Sequence, residues 1–280
     1  MIDVLQFFTK DIKTYEKHDI IMYDFDDSRK DEFLNHVQGF YRSAFISDED
    51  LQAYINGMGT SRFDEIQAIL PTDPIIKSGD FGEILSFAIF TQMYPDYNIA
   101  PLKWRWKEDK DRAAHFTDIV LFCCPDESNP QVTDKMMTIE VKTRATQPGA
   151  KESSINKAIE GSFTDSVSRS AKTLSYVQQK LKRDRDFDAV KKVMRFEEAV
   201  KKPYEACYYA IAIVNRSHLG THHIGNLNAE LINKVRLFNA NEKANHKTMA
   251  VFVVPINDLK DLYEQLYNNI AVALIFENYL

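Results

Sequence analysis

The sequence predicts an α/β protein in which a mixed β-sheet is covered by helices. Three observations carry that expectation. A helical pattern over residues 80–93 leads into three segments of strand character at 102–106, 117–123 and 136–143. Long helical patterns at 155–185 and 187–202 follow, and then two further strand-like segments at 207–214 and 248–255 with a closing helix from 258 to about 278. The order αβββαββα has no internal repeat or low-complexity tract, and gives a helix, a three-strand meander, a helix and further strands.

The elements have separate local signals. Residues 1–75 read as helical or irregular, with an apolar run at 40–46 and a helix-like 49–55, and form a mainly helical N-terminal extension. Pro71, Pro74 and Gly79 set it off, and Pro95 ends the 80–93 helix. Polar residues 107–112 and 125–134 connect the three strands of the meander. The stretch between the last two strands is polar and contains histidines.

Composition narrows the class. With 44% apolar and 27% charged residues, the chain matches an ordinary globular protein with one catalytic domain and an appended segment. Cys123, Cys124 and Cys207 form no CxxC pair and no zinc-finger spacing, so a reducing, cytoplasmic setting is expected. The N-terminus lacks a basic n-region and a small-residue cleavage site. The late apolar stretch 270–276 is far shorter than the roughly 20 residues a bilayer span needs, so no membrane segment is expected.

The net charge of −6 argues against a protein that coats nucleic acid by charge alone, but it conceals an asymmetry. Residues 1–75 hold 15 acids and 7 Lys/Arg, whereas residues 169–202 hold 11 Lys/Arg and 5 acids. The expected division is therefore an acidic extension, 1–75, that docks a protein partner, with 40–46 as its apolar anchor, and a catalytic domain, 76–280, whose basic segment approaches the substrate.

The chemistry centres on three acids and a lysine. In the strand 136–143, Thr138, Glu140 and Lys142 alternate with apolar residues and share one face. Taken alone, such a pair is common on half-solvated strands. Asp118 stands at the start of a strand of four consecutive apolar residues, where a carboxylate needs a partner or a metal, or else serves to cap a turn. Glu83 shares a helix face with Phe87 and Phe90, and two readings of it are open: a metal ligand, or the second half of an Asp80-x-x-Glu83 capping box.

Together these residues match what phosphodiester hydrolysis requires. Clustered carboxylates bind Mg²⁺ or Mn²⁺ through hard oxygens, and the metal polarises the phosphate and acidifies a bound water. Lys142 would orient or deprotonate that water and stabilise the developing charge. His218, His222 and His223 read as a loop because Gly220 and Gly225 interrupt them, and Trp104 and Trp106, two apart on one strand face, read as packing residues.

At Glu83, Asp118 and Glu140-Val141-Lys142 the chain resembles the PD-(D/E)XK nuclease superfamily, over roughly residues 78–255. Thr117 replaces the proline that usually precedes the first acid. The resemblance implies a restriction-endonuclease-like core in which Glu83, Asp118, Glu140 and the Val141 carbonyl bind the metal and Lys142 serves the attacking water. It implies that the helix after the meander faces DNA, with Ser168, Arg169, Lys172, Gln178 and Gln179 as candidates; a solvated helix face is the alternative. The segment Gly82-Glu83-Ile84-Leu85, the extension and the overall size more narrowly resemble the HamA nuclease subunit of the Hachiman anti-phage system. That implies action on DNA with a superfamily 2 helicase, HamB. A homodimeric, sequence-specific restriction enzyme and a non-catalytic interaction subunit remain the alternatives, and no small-molecule ligand is expected.

Overall fold

A computed structural model describes residues 2–114, 116–126, 128–146, 153–197, 203–219 and 227–277. Its centre is a six-stranded sheet with the order β1-β2-β6-β5-β4-β3. The strands are β1 (Phe8–Tyr15), β2 (His18–Phe25), β3 (Ile119–Cys123), β4 (Lys135–Arg144), β5 (Glu205–Asn215) and β6 (Lys247–Ile256). The central run β2-β6-β5-β4 is parallel, and β1 and β3 close the two edges in antiparallel pairings. The inner strands read as near-continuous apolar runs, Ala210 to Val214 and Val251 to Val254, because helices cover both of their faces.

One face carries α1 (Lys30–Phe45), α4 (Pro74–Met93) and α9 (Leu259–Glu277), and α2 (Asp48–Met58) and α3 (Arg62–Ile69) connect the first two of these helices. The other face carries α5 (Ser154–Thr164), α6 (Ser170–Arg183), α7 (Phe187–Val193) and α8 (Ala229–Glu242). A single π-helical turn, Asp165–Arg169, joins α5 to α6. The architecture is the expected α/β mixed sheet between helices.

Several elements depart from the expectation. Residues 1–75 contribute the hairpin β1–β2, and β2 pairs with β6, so this region extends the central sheet in addition to supplying helices. Its apolar run is core: Tyr41, Ala44, Phe45 and Ile46 are buried, which removes it as an exposed anchor. The expected strand at 102–106 is a 3-10 turn, Lys103–Trp106, and the meander reduces to the β3–β4 hairpin plus one bridge from Ile99 to Phe122. Trp104 and Trp106 do not share a face; Trp104 packs against Phe87, and Trp106 against Tyr176. Between β5 and β6 the chain forms α8, where only a polar connection was expected.

Helix α4 begins earlier than expected. Asp73 caps it by accepting from the Ile75 and Ile76 backbone N–H groups, with Pro74 at the first helical position. Asp80 and Glu83 are therefore interior, and the capping-box reading of Glu83 is excluded.

Candidate active site

The site forms where the start of β3, the middle of β4, α4 and the π turn meet. The antiparallel register sets Ile119 opposite Ile139, so Asp118 lies beside the Glu140-Val141 segment. Its Oδ2 accepts the Val141 backbone N–H at 2.8 Å. Glu140 points under α5, and the expected half-solvated polar strand face is absent: only 4% of the residue is exposed. Gly161 of α5 makes this possible, because a Cβ there would stand 2.4 Å from the Glu140 carboxyl carbon.

Lys142 Nζ sits among three oxygens, 2.5 Å from Glu140 Oε1, 3.2 Å from the Val141 carbonyl and 3.8 Å from Asp118 Oδ2. It is also the open side of the cluster, with 36% of its side chain exposed against 16% for Asp118 and 5% for Glu140. Burial works to lower the Lys142 ammonium, but Asp118 and Glu140 outweigh it and hold it raised. Lys142 is thus a cation here, which suits charge stabilisation better than deprotonation of water.

Arg169, the last residue of the π turn, donates from Nη1 to Glu140 Oε2 at 2.9 Å and pairs through Nε with Asp165 Oδ1 at 3.0 Å. Asp165 is fully buried and also accepts from Thr117 Oγ1 at 3.0 Å. Burial pushes its carboxyl up to about 7, against the lowering effect of Arg169. Burial likewise raises Glu140, with Asp118 adding and Lys142 opposing.

On the other side, Lys103 is buried and its Nζ lies 3.1 Å from Glu83 Oε2 and 3.8 Å from Asp118 Oδ1. The Trp104 indole N–H donates to the same Glu83 oxygen at 3.2 Å. Burial pushes Glu83 up to about 7, with Asp118 and Asp80 adding and Lys103 opposing. Asp80 forms its own buried pair with Lys107 at 2.5 Å. The result is an alternating row of charges, Glu83, Lys103, Asp118, Lys142, Glu140, Arg169 and Asp165, in which each cation joins two carboxylates.

Among the described residues no group of three or more His, Cys, Asp or Glu stands ready to hold a metal ion. The donors that do converge on a single cation are Asp118, Glu140 and the Val141 carbonyl around Lys142. Such a set of two carboxylates and a carbonyl fits Mg²⁺, which keeps several waters and takes one or two protein carboxylates. Glu83 falls outside it, since Lys103 and Trp104 take up its carboxylate.

The structure brings the sequence-predicted residues Glu83, Asp118, Glu140, Val141, Lys142 and Arg169 into one neighbourhood. Lys172 is exposed on α6. Gln178 is not presented to a substrate, because it is buried and donates to Glu197 at 2.8 Å. Lys103, Thr117 and Asp165 were missed; the only signal for Asp165 was its i,i+4 spacing to Arg169. His218 lies in a 3-10 turn, Arg216–His218, while His222 and His223 are outside the described residues, as are 198–202 of the basic segment.

The family model of HamA matches residues 3–270. The chain belongs to the HamA family. No curated protein matches it. The family match in this HamA chain spans the β1–β2 hairpin, the site and α9 up to residue 270, so the acidic N-terminal region is part of what the family shares. No described helix is long and apolar enough to cross a membrane.

Proposed function

We propose that the chain is a divalent-metal-dependent nuclease of the PD-(D/E)XK type that hydrolyses DNA phosphodiester bonds. As a HamA-family member it would be the cytoplasmic effector of a Hachiman anti-phage complex, under the control of a superfamily 2 helicase resembling HamB. The observation that carries the chemistry is the convergence of Asp118, Glu140 and the Val141 carbonyl on one cation, the Lys142 ammonium.

In this reading those three groups hold Mg²⁺ or Mn²⁺, which when bound polarises the phosphate and acidifies a water. The long side chain of Lys142, the most exposed member, yields its position among the oxygens. It remains as an ammonium beside the reacting phosphate, where it orients the water and offsets developing charge. Arg169 fixes the second oxygen of Glu140, leaving Oε1 for the cation. Lys103 bridges Glu83 and Asp118 and offsets the charge of both. Lys172 contributes a phosphate contact at the rim.

The acidic 1–75 region faces the partner. Tyr54 and Met58 stand exposed on α2, whose first turn carries Asp48, Glu49 and Asp50, and they replace the buried 40–46 run as the apolar contact.

The test is cleavage of linear and circular DNA with Mg²⁺ or Mn²⁺, by the chain alone and with its helicase subunit. Wild type should cut, and Asp118→Asn and Lys142→Ala should not. Equal cleavage by the variants, or none by wild type under any of these conditions, would overturn the assignment.

A further inference from the structure

Beside the carboxylates lies an aromatic shelf that the hydrolytic residues do not use. Phe116 has φ +67°, a left-handed conformation that a bulky side chain adopts only under constraint. The constraint is its neighbour Thr117, which is buried, donates to Asp165 and shares a 2.8 Å hydrogen bond with Thr173 Oγ1. With Thr117 pinned inward, the chain turns sharply and leaves Phe116 39% exposed, two residues before Asp118.

The exposed ring has a second wall. Its centroid lies 5.4 Å from that of Tyr176, which is half-buried and in turn meets Trp106 at 5.9 Å. Tyr176 lines one pocket together with Lys103, Thr117 and Asp118. Along its helix Arg169, Lys172, Tyr176 and Lys180 recur every three or four residues, so cations and an aromatic ring share a face. Lys180 Nζ stands 5.4 Å from the Tyr176 ring centroid.

Resting on the nuclease reading, we propose that Phe116 and Tyr176 form a stacking subsite for an unstacked nucleobase next to the scissile phosphate, making single-stranded or frayed DNA the preferred substrate. Every base offers a π-face to such a shelf, so the contact tolerates any sequence. In an intact duplex those faces are covered by neighbouring bases. A ring whose only task was packing would gain more from a buried position on a relaxed backbone. Here the strained turn presents it toward solvent, against the helix whose exposed Lys172 would meet the phosphates.

The full chain is titrated in EDTA, which prevents cleavage, with oligo(dT) of about twelve nucleotides carrying one 2-aminopurine, and with a duplex of the same length. Phe116→Gly suits the positive φ and removes the ring, while Phe116→Trp keeps a ring. Wild type and Phe116→Trp should quench 2-aminopurine and prefer the single strand. Phe116→Gly should lose the quenching and bind the single strand about tenfold more weakly, with its duplex affinity changed much less. Unchanged single-strand binding by Phe116→Gly, or equal losses for both DNAs, would overturn the subsite while leaving the nuclease reading standing. No binding of either DNA by wild type would likewise overturn the subsite, and the nuclease reading is decided separately by the cleavage test.

Discussion

The Asp118 carboxylate accepts the backbone N–H of Val141 at 2.8 Å, which ties the start of β3 to the strand position between Glu140 and Lys142. In the proposed reading one side chain has both a structural and a chemical task, and substitutions separate them. Asp118→Ala leaves a buried donor unsatisfied and should cost about 1–3 kcal/mol of stability. Asp118→Asn keeps an acceptor oxygen and should cost less than about 1 kcal/mol, yet lose metal-dependent cleavage through loss of the charge. Denaturant melts and cleavage assays on both variants check this, and an active Asp118→Asn would detach the carboxylate from the chemistry.

Lys103 gives a sharper energetic prediction, because it is buried between two acids. Lys103→Met leaves Glu83 and Asp118 without their shared cation and should destabilise the chain by about 3 kcal/mol. Adding Glu83→Gln removes one of the orphaned charges, so the double variant should recover part of that loss. A double-mutant cycle in which the two losses simply add would show that the pair is not coupled.

Much of this arrangement was legible because it follows strand periodicity. Alternation across β4 placed Glu140 and Lys142 on one face, and the apolar run after Asp118 identified β3. What escaped notice depended on tertiary contacts or on unusual turns. The β1–β2 hairpin turns through Glu16 and Lys17 with φ of 48° and 59°, and neither residue is the Gly or Asn that marks such a turn. Helix α8 carries Asn233, Asn239 and Asn241, which weaken its helical signal. Lys103 looks like a surface lysine in sequence, since only the fold reveals the two acids that keep it buried. Pro74 has the look of a break in the sequence yet opens a helix, and the early start of α4 leaves Glu83 interior, away from any cap.

Gly161 makes the space for Glu140, and this predicts a reversal of the usual effect of alanine. In an open helix interior Gly→Ala gains about 0.5–1 kcal/mol. Gly39 in α1 has nothing near its missing Cβ, so Gly39→Ala should show that gain. At Gly161 the new methyl would stand 2.4 Å from the Glu140 carboxyl carbon and 2.5 Å from Oε1. Gly161→Ala should therefore lose stability instead of gaining it, and should depress cleavage by displacing the carboxylate proposed to hold the metal. Parallel melts of the two variants read the sign directly, and a stabilised, fully active Gly161→Ala would contradict the close packing.

The last prediction concerns pH and the buried Asp165. Burial pushes its carboxyl up to about 7, whereas in the unfolded chain it ionises near its ordinary value of about 4. Below pH 4 both states hold the proton and the group contributes no pH dependence. Between about pH 4 and pH 7 unfolding releases a proton, so stability falls as pH rises and levels off once the folded carboxyl has ionised. The shift of about three units sets an upper bound of about 4 kcal/mol on this loss. Glu83 is raised to a similar value by burial and contributes a loss of the same sign over the same window. Asp165→Asn removes only the first contribution while keeping an oxygen for Thr117 and Arg169. Metal-free denaturant melts at a series of pH values should show a shallower decline for Asp165→Asn than for wild type, with the remaining slope due to Glu83, Asp80 and Glu140, whose carboxyls burial also raises. Identical slopes would mean that Asp165 is already ionised in the folded chain throughout, held so by Arg169.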